Sequence, residues 1–148
     1  MNFKFVPINL EYLEEIRNWK YDGFIKNIYL DPYFENYDGN NSELRGPGGC
    51  IGFAALNKDK LAGLFEYYFR GEIMEIGLAL NPALVGKGFG KEFVEQGIAF
   101  GINHFAYQGD YLKLSVNIKN KAARSVYKKA GFKEHNRESD SIEMRKYI

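Results

Sequence analysis

Residues 50–56, 61–69 and 72–80 form three strand-like runs with almost nothing between them, only Asn57-Lys58-Asp59-Lys60 and Arg70-Gly71. Each run is rich in aromatic and aliphatic residues. The connections are too short for the crossover that a parallel pair requires, so the three runs pair as an antiparallel meander. Such a sheet must be covered on its apolar faces, and the remaining segments have to supply the cover.

Those segments read accordingly. Phe3, Phe5 and Ile8 suggest a short first strand, and Asn9 then caps a helix whose Leu10, Leu13 and Ile16 recur at helical spacing, ending near Lys20. Residues 21–37 mix aromatic and polar residues without a clean period. Asp31-Pro32 interrupts them, which predicts one or two short helices with loops. Residues 36–49 (NYDGNNSELRGPGG) are a loop by composition.

After Asn81-Pro82 comes a glycine-rich turn, followed by a helix over residues 87–105 with Phe93, Val94, Ile98, Ile102 and Phe105 on one face. Gly97 and Gly101 lie beside that face. Each costs up to about 1 kcal/mol of helix propensity relative to Ala, which points to close packing on the sheet. Residues 111–118 alternate with Leu112, Leu114 and Val116 inward. Residues 120–130 form a short helix stopped by Gly131, and residues 132–135 and 142–147 close the sheet. The expected fold is α/β of the α+β type, a mixed, mostly antiparallel central sheet of six to seven strands flanked by helices. With 148 residues, 45% of them hydrophobic, one core and one domain over residues 1–148 are expected.

Several function classes are disfavoured. Lys and Arg total 20 against 19 Asp and Glu, so no global field draws the chain to nucleic acid or an anionic membrane, and phosphate recognition must be local. Residues 1–9 lack the apolar run of a signal peptide, and about 18 consecutive apolar residues occur nowhere; a cytoplasmic location is expected. Cys50 is the only cysteine, which rules out an internal disulfide or a cysteine-based metal site, and His104 and His135 lack ligand spacing. No metal is expected, and Cys50 reads as a small residue near a strand start.

Two segments carry chemistry. In Leu78-Ala79-Leu80-Asn81-Pro82-Ala83-Leu84-Val85-Gly86-Lys87-Gly88-Phe89-Gly90 a strand passes through a glycine turn into a helix. Backbone N–H groups converging at a helix N-terminus can hold a pyrophosphate, with Lys87 and Lys91 adding charge. The Walker A spacing is absent, since three residues separate Gly86 from Gly90 and Glu92 follows Lys91. The dinucleotide fingerprint also fails, because Phe93 stands where its third glycine belongs. The second segment is Asn120-Lys121-Ala122-Ala123-Arg124-Ser125-Val126-Tyr127-Lys128-Lys129-Ala130-Gly131-Phe132.

In this order and on these elements, the two segments resemble the GNAT superfamily of acyl-CoA-dependent acetyltransferases. The first is similar to its Gln/Arg-x-x-Gly-x-Gly/Ala pyrophosphate loop, with Val85 in place of the usual Gln or Arg. The second is similar to its Asn-x-x-Ala/Ser-x-x-x-Tyr-x-Lys-x-Gly-Phe signature. Glu75-Ile76-Gly77 also resembles the Glu-Ile-Gly strand of the RimJ and RimL-like, ribosomal-protein acetylating branch.

The resemblance implies acetyl-CoA as cosubstrate, an amine acceptor, a monomer or homodimer, and a fourth strand splayed from the fifth. Cofactor contacts are expected from Leu78, Ala79, Leu80, Val85, Gly86, Lys87, Gly88, Phe89, Gly90, Lys91, Asn120, Ala123 and Tyr127. The Leu80 N–H is the candidate oxyanion donor and Tyr127 the general acid. An unperturbed phenol near 10 and a thiol near 8.5 differ modestly, which suits proton donation to a leaving thiolate. Asn120 either bonds the cofactor, caps its helix, or does both. Glu75 is the candidate base, with Glu72 and Glu66 as rivals. The aromatics of residues 19–37, beside Asp22, Asp31, Glu35 and Asp38, either form an apolar slot for a cationic amine or belong to the core. A non-catalytic acyl-CoA-binding module of the same fold is the alternative.

Overall fold

The computed structural model describes residues 1–22, 28–39 and 44–148. Its elements, in chain order, are β1 (Lys4–Pro7), α1 (Leu10–Arg17), α2 (Asp31–Glu35), β2 (Ile51–Asn57), β3 (Lys60–Arg70), β4 (Ile73–Leu80), α3 (Gly90–His104), β5 (Tyr111–Asn117), α4 (Lys121–Lys129), β6 (Lys133–Glu138) and β7 (Ser141–Tyr147). The strands form one seven-stranded sheet in the order β1-β2-β3-β4-β5-β7-β6. Every pairing is antiparallel except β4 with β5. The fold is thus a single α+β domain with the meander at its centre, as the short connections require.

Both faces of the sheet are covered. On one, Phe93, Val94 and Ile98 of α3 pack with Phe65, Met74, Leu112, Leu114 and Phe132. On the other, Leu13 and Ile16 of α1 and Tyr33 of α2 pack with Ala54, Leu56 and Leu64. Double-sided burial explains why β2 and β3 read as continuous apolar runs rather than alternating ones. At Gly97 and Gly101 of α3 a Cβ would run into the rings of Phe65 and Tyr67, and the Tyr67 hydroxyl donates to the Gly97 carbonyl at 2.6 Å. Close approach of helix to sheet is therefore what offsets the propensity cost of both glycines. Strand β6 is polar and exposed throughout, as an edge strand that avoids further pairing should be.

Four boundaries differ from the sequence reading, among them that of β6, which runs on to Glu138 rather than ending at 135. Helix α1 stops at Arg17, with Asn18 as its C-cap, short of Lys20. Helix α3 starts at Gly90 rather than 87, because Gly86 and Gly88 adopt φ of 77° and 86°, which a right-handed helix cannot contain. Asp31-Pro32 opens α2 instead of interrupting it, since a proline in the first turn lacks only an N–H that no helix bond needs. Residues 23–27 of the aromatic segment and 40–43 of the glycine-rich loop lie outside the described residues. Among the described residues, no helix is long and apolar enough to cross a membrane.

Candidate active site

The site begins where two neighbouring strands part. β4 and β5 are paired only at Met74 with Leu112 and Glu75 with Lys113, yet β4 continues to Leu80 and β5 to Asn117. On its other edge β4 remains paired with β3 up to Leu80 opposite Gly63, and the Asn81 N–H donates to the Ala62 carbonyl at 2.7 Å. That bond sets the phase of the ladder. Odd-numbered residues of β4 turn their backbone groups toward β3, so Leu78 and Leu80 turn theirs into the gap. The Leu80 carbonyl accordingly accepts the Tyr21 hydroxyl at 2.5 Å from outside the sheet.

A cavity of about 770 Å³ opens at this gap. It brings together Leu78, Ala79, Leu80, Val85, Gly86, Gly88 and Gly90 from β4 and the glycine turn, and Asn120, Ala123 and Tyr127 from α4 and its cap. Ten of the expected cofactor contacts therefore converge. Lys87 and Lys91 are exposed and do not line the cavity, and Phe89 turns toward Met1 and Asn57. The cations that do line it are Lys20 on the N-terminal side and Lys119 and Lys121, which flank Asn120.

The glycine turn suits an anion. A Cβ at Gly86 or Gly88 would meet no protein atom within 4 Å, so that surface is open to a ligand. Beyond it, the N–H groups of the first turn of α3 have no partners within the helix, whose first bond runs from Phe93 N–H to Phe89 C=O at 3.0 Å. A diphosphate fits here and an extended amide-bearing chain fits along β4. The residues present thus match the chemistry of a coenzyme A thioester.

Helix α4 delivers Tyr127. Asn120 accepts the Ala123 N–H at 3.2 Å, so its side-chain oxygen is used as an N-cap. At the other end Gly131, at φ 100°, closes a Schellman motif: its N–H donates to Lys128 C=O and the Phe132 N–H to Tyr127 C=O. The Tyr127 ring is half-buried, and burial pushes its phenol up to about 12. The gap to a thiol near 8.5 is therefore wider than the unperturbed values suggest, and Tyr127 stays protonated across the working range.

Glu75 is not brought to the cavity. Its carboxylate lies 3.8 Å from Lys113 Nζ and 3.9 Å from Arg70 Nε. Two carboxylates line the cavity, Asp22 from the N-terminal side and Glu66 on β3, and Glu66 is the buried one, only 8% exposed. Tyr33 donates to its Oε2 at 2.6 Å, Cys50 Sγ to the same oxygen at 3.3 Å, and Tyr68 to Oε1 at 3.3 Å. Desolvation raises its pKa, against the lowering effect of those three donors. Sequence reasoning placed Glu66 only among the rivals and missed Tyr21. Tyr21 sits 59 residues from its partner, and no local pattern announces such a contact.

A family model described as Acetyltransferase (GNAT) family matches residues 11–132. No curated protein matches the chain. Among solved structures, a chimera of the Vibrio cholerae spermidine N-acetyltransferase SpeG and hSSAT is similar with a TM-score of 0.75 at 16% identity, over 99% of this chain and 96% of that one. The Campylobacter jejuni N-acetyltransferase PseH, in complex with acetyl coenzyme A, is similar with a TM-score of 0.73 at 19% identity, over 99% of each chain. The aminoglycoside acetyltransferase AAC(6')-Ib, in complex with coenzyme A, reaches 0.59 at 16% identity over 68% of this chain and 67% of that one.

Proposed function

We propose, from the premise that this chain belongs to the acetyltransferase (GNAT) family, that residues 1–148 act as one domain that transfers the acetyl group of acetyl-CoA to a primary amine by direct attack on the thioester. One observation carries the reading: the parting of β4 from β5 beside the glycine turn, with Leu78, Leu80 and Tyr127 around the same cavity. Bound acetyl-CoA supplies an activated acyl group on a thiol leaving group. The chain's own groups do the rest.

The N–H groups of the glycine turn and of the α3 N-terminus receive the diphosphate, and Lys119 and Lys121 add charge beside it. The backbone of Leu78 and Leu80 pairs with the pantetheine arm as an added strand would, and the Leu80 N–H stabilises charge developing on the thioester oxygen. Tyr127 gives its proton to the departing thiolate. Its raised pKa favours a transfer concerted with cleavage, because a free phenolate in this half-buried place is costly. The finer expectations stand beside this: a cytoplasmic enzyme, monomeric or homodimeric, working where acetyl-CoA is available.

The acceptor side is open to several amines. A protein N-terminus is favoured by the Glu75-Ile76-Gly77 strand motif of the RimJ and RimL-like branch. Spermidine and an aminoglycoside are suggested by the likeness to the spermidine N-acetyltransferase chimera and to the aminoglycoside acetyltransferase. The experiment is thiol release from acetyl-CoA against a panel of spermidine, kanamycin, glycinamide and an N-terminal peptide, with calorimetry of acetyl-CoA alone alongside. Acetylation of any of these amines supports transfer. Tight binding with no thiol released by any of them supports the non-catalytic module instead.

A further inference from the structure

We propose that Glu66 is the group that receives the acceptor ammonium and takes its proton, a role that rests on the acetyl-transfer reading above. The observations concern geometry first. Glu66 stands on β3 opposite Gly77, one residue before the Leu78 amide that faces the gap, and its carboxylate borders the cavity. Its two oxygens are not equivalent. Oε2 is held by Tyr33 at 2.6 Å and Cys50 at 3.3 Å, whereas Oε1 has only the long Tyr68 bond at 3.3 Å. Across from Oε1, at 3.6 Å from where a Cβ would lie, Gly77 contributes no side chain. One oxygen is anchored and the other retains acceptor capacity toward a cation.

The anchor is built, not incidental. Tyr33 is fully buried, and a Cβ on either Gly46 or Gly52 would collide with its ring or hydroxyl. Two glycines, one in the loop and one in β2, thus clear the slot through which α2 sends a hydroxyl to Glu66. Among the described residues, none of the ion pairs includes Glu66, whereas Glu75 has both Lys113 and Arg70. A carboxylate nearly removed from water, without a cation and bordering an open cavity, gains most from an incoming ammonium.

Burial also suits it to the proton transfer. Desolvation raises the Glu66 pKa, so its carboxylate is a stronger base than an exposed one. The groups facing it are the Tyr33 hydroxyl from α2, the Cys50 thiol before β2 and the Tyr68 hydroxyl from β3, all three pushed upward by burial and therefore neutral. Lys20, Tyr21 and Asp22 line the same cavity from the N-terminal side, and Lys20 makes no ion pair with Glu66 among the described residues.

In the step itself, Oε1 accepts one proton from the ammonium, and the nitrogen lone pair then forms a bond to the thioester carbon. The C–S bond breaks with its electron pair going to sulfur, which takes the Tyr127 proton. The nitrogen gives up its second proton, which restores Tyr127 through solvent, and Glu66 returns its own to water. One proton is released for each acetyl group moved.

The test is the pH profile of kcat/KM, measured by thiol release with the best wild-type acceptor from the amine panel. Glu66→Gln keeps the shape and most hydrogen bonds; it is expected to lose the acidic limb and about 10²-fold in kcat/KM while the acetyl-CoA Kd holds. Tyr33→Phe keeps the ring in its slot and removes a donor that lowers the Glu66 pKa, so the limb should move to higher pH. Glu75→Gln should leave the limb in place. A wild-type profile in both Glu66→Gln and Tyr33→Phe overturns the assignment while leaving acetyl transfer intact. A wild type that releases no thiol with any amine removes the acetyl-transfer reading, and the role of Glu66 falls with it.

Discussion

The Phe132 N–H donates to the Tyr127 carbonyl at 2.9 Å, and the two rings meet edge to face with centroids 6.1 Å apart at 63°. The Gly-Phe pair at the end of α4 therefore does more than stop a helix. It fixes both the backbone and the ring of the residue proposed as the acid. That fixation depends on Gly131 at φ 100°, where a Cβ would make only ordinary contact with Lys146, so the cost of a side chain there is backbone strain. Gly131→Ala should cost about 1–2 kcal/mol, read as a fall of about 2–4 °C in Tm per kcal/mol. Turnover should drop more than acetyl-CoA affinity, because Tyr127 is displaced while the glycine turn is not. An unchanged Tm would contradict the Schellman closure.

Gly88 separates backbone strain from steric exclusion. Nothing in the protein lies within 4 Å of a Cβ there, yet its φ is 86°. Gly88→Ala should cost about 1–2 kcal/mol of stability and place a methyl group on the face that receives the diphosphate. Calorimetry should show acetyl-CoA affinity reduced by about tenfold or more, since every 1.4 kcal/mol lost is a factor of ten. A folded variant with wild-type affinity would move the phosphate site elsewhere.

The contact of α3 with the sheet is tested at Gly97 and Gly101. Each substitution to Ala drives a methyl group into a buried ring, Phe65 or Tyr67, with no open space to relax into. Overpacking of this kind typically costs about 1–3 kcal/mol. The double variant should exceed either single one in denaturant unfolding. A stabilised Gly97→Ala protein, gaining only helix propensity, would show that the helix can ride away from the sheet.

How much of this was legible in the sequence follows from the range of each interaction. The meander, the Asn9 and Asn120 caps and the Gly131 stop are set by residues within a few positions of one another, and they were read correctly. The two motifs placed ten cofactor candidates around one cavity for the same reason. Glu66 is only a rival in sequence because its environment is assembled from Tyr33 and Cys50, 33 and 16 residues away. In sequence Glu75 stands ahead of Glu66, and only the folded chain reverses that order by pairing Glu75 with Lys113 and Arg70 and leaving Glu66 at the cavity. The start of α3 differs from the sequence expectation because the positive φ at Gly86 and Gly88 is a tertiary choice that glycine permits but does not dictate.

Glu66 also leaves a signature in stability. Its folded-state pKa is raised above the unfolded value of about 4.3, so the folded state holds the proton more tightly. That contribution is fully present below the unfolded pKa and is lost as pH rises through the folded one. Thermal denaturation from pH 4 upward should therefore show the Tm of Glu66→Gln improving relative to wild type as pH rises. Parallel Tm curves would mean that Glu66 carries the same charge cost folded and unfolded.

Acetyl transfer through Tyr127 is tested most directly by a single turnover. Protein saturated with acetyl-CoA is mixed with an accepted amine and the free thiol is followed in time, for wild type and for Tyr127→Phe. The substitution keeps the ring against Phe132 and deletes one hydroxyl, so folding and acetyl-CoA affinity should hold. The expected result is one thiol per chain from wild type and a rate about 10²-fold lower in the variant. Equal rates in the two proteins would contradict the role of Tyr127, and no thiol from wild type with any amine would contradict acetyl transfer itself.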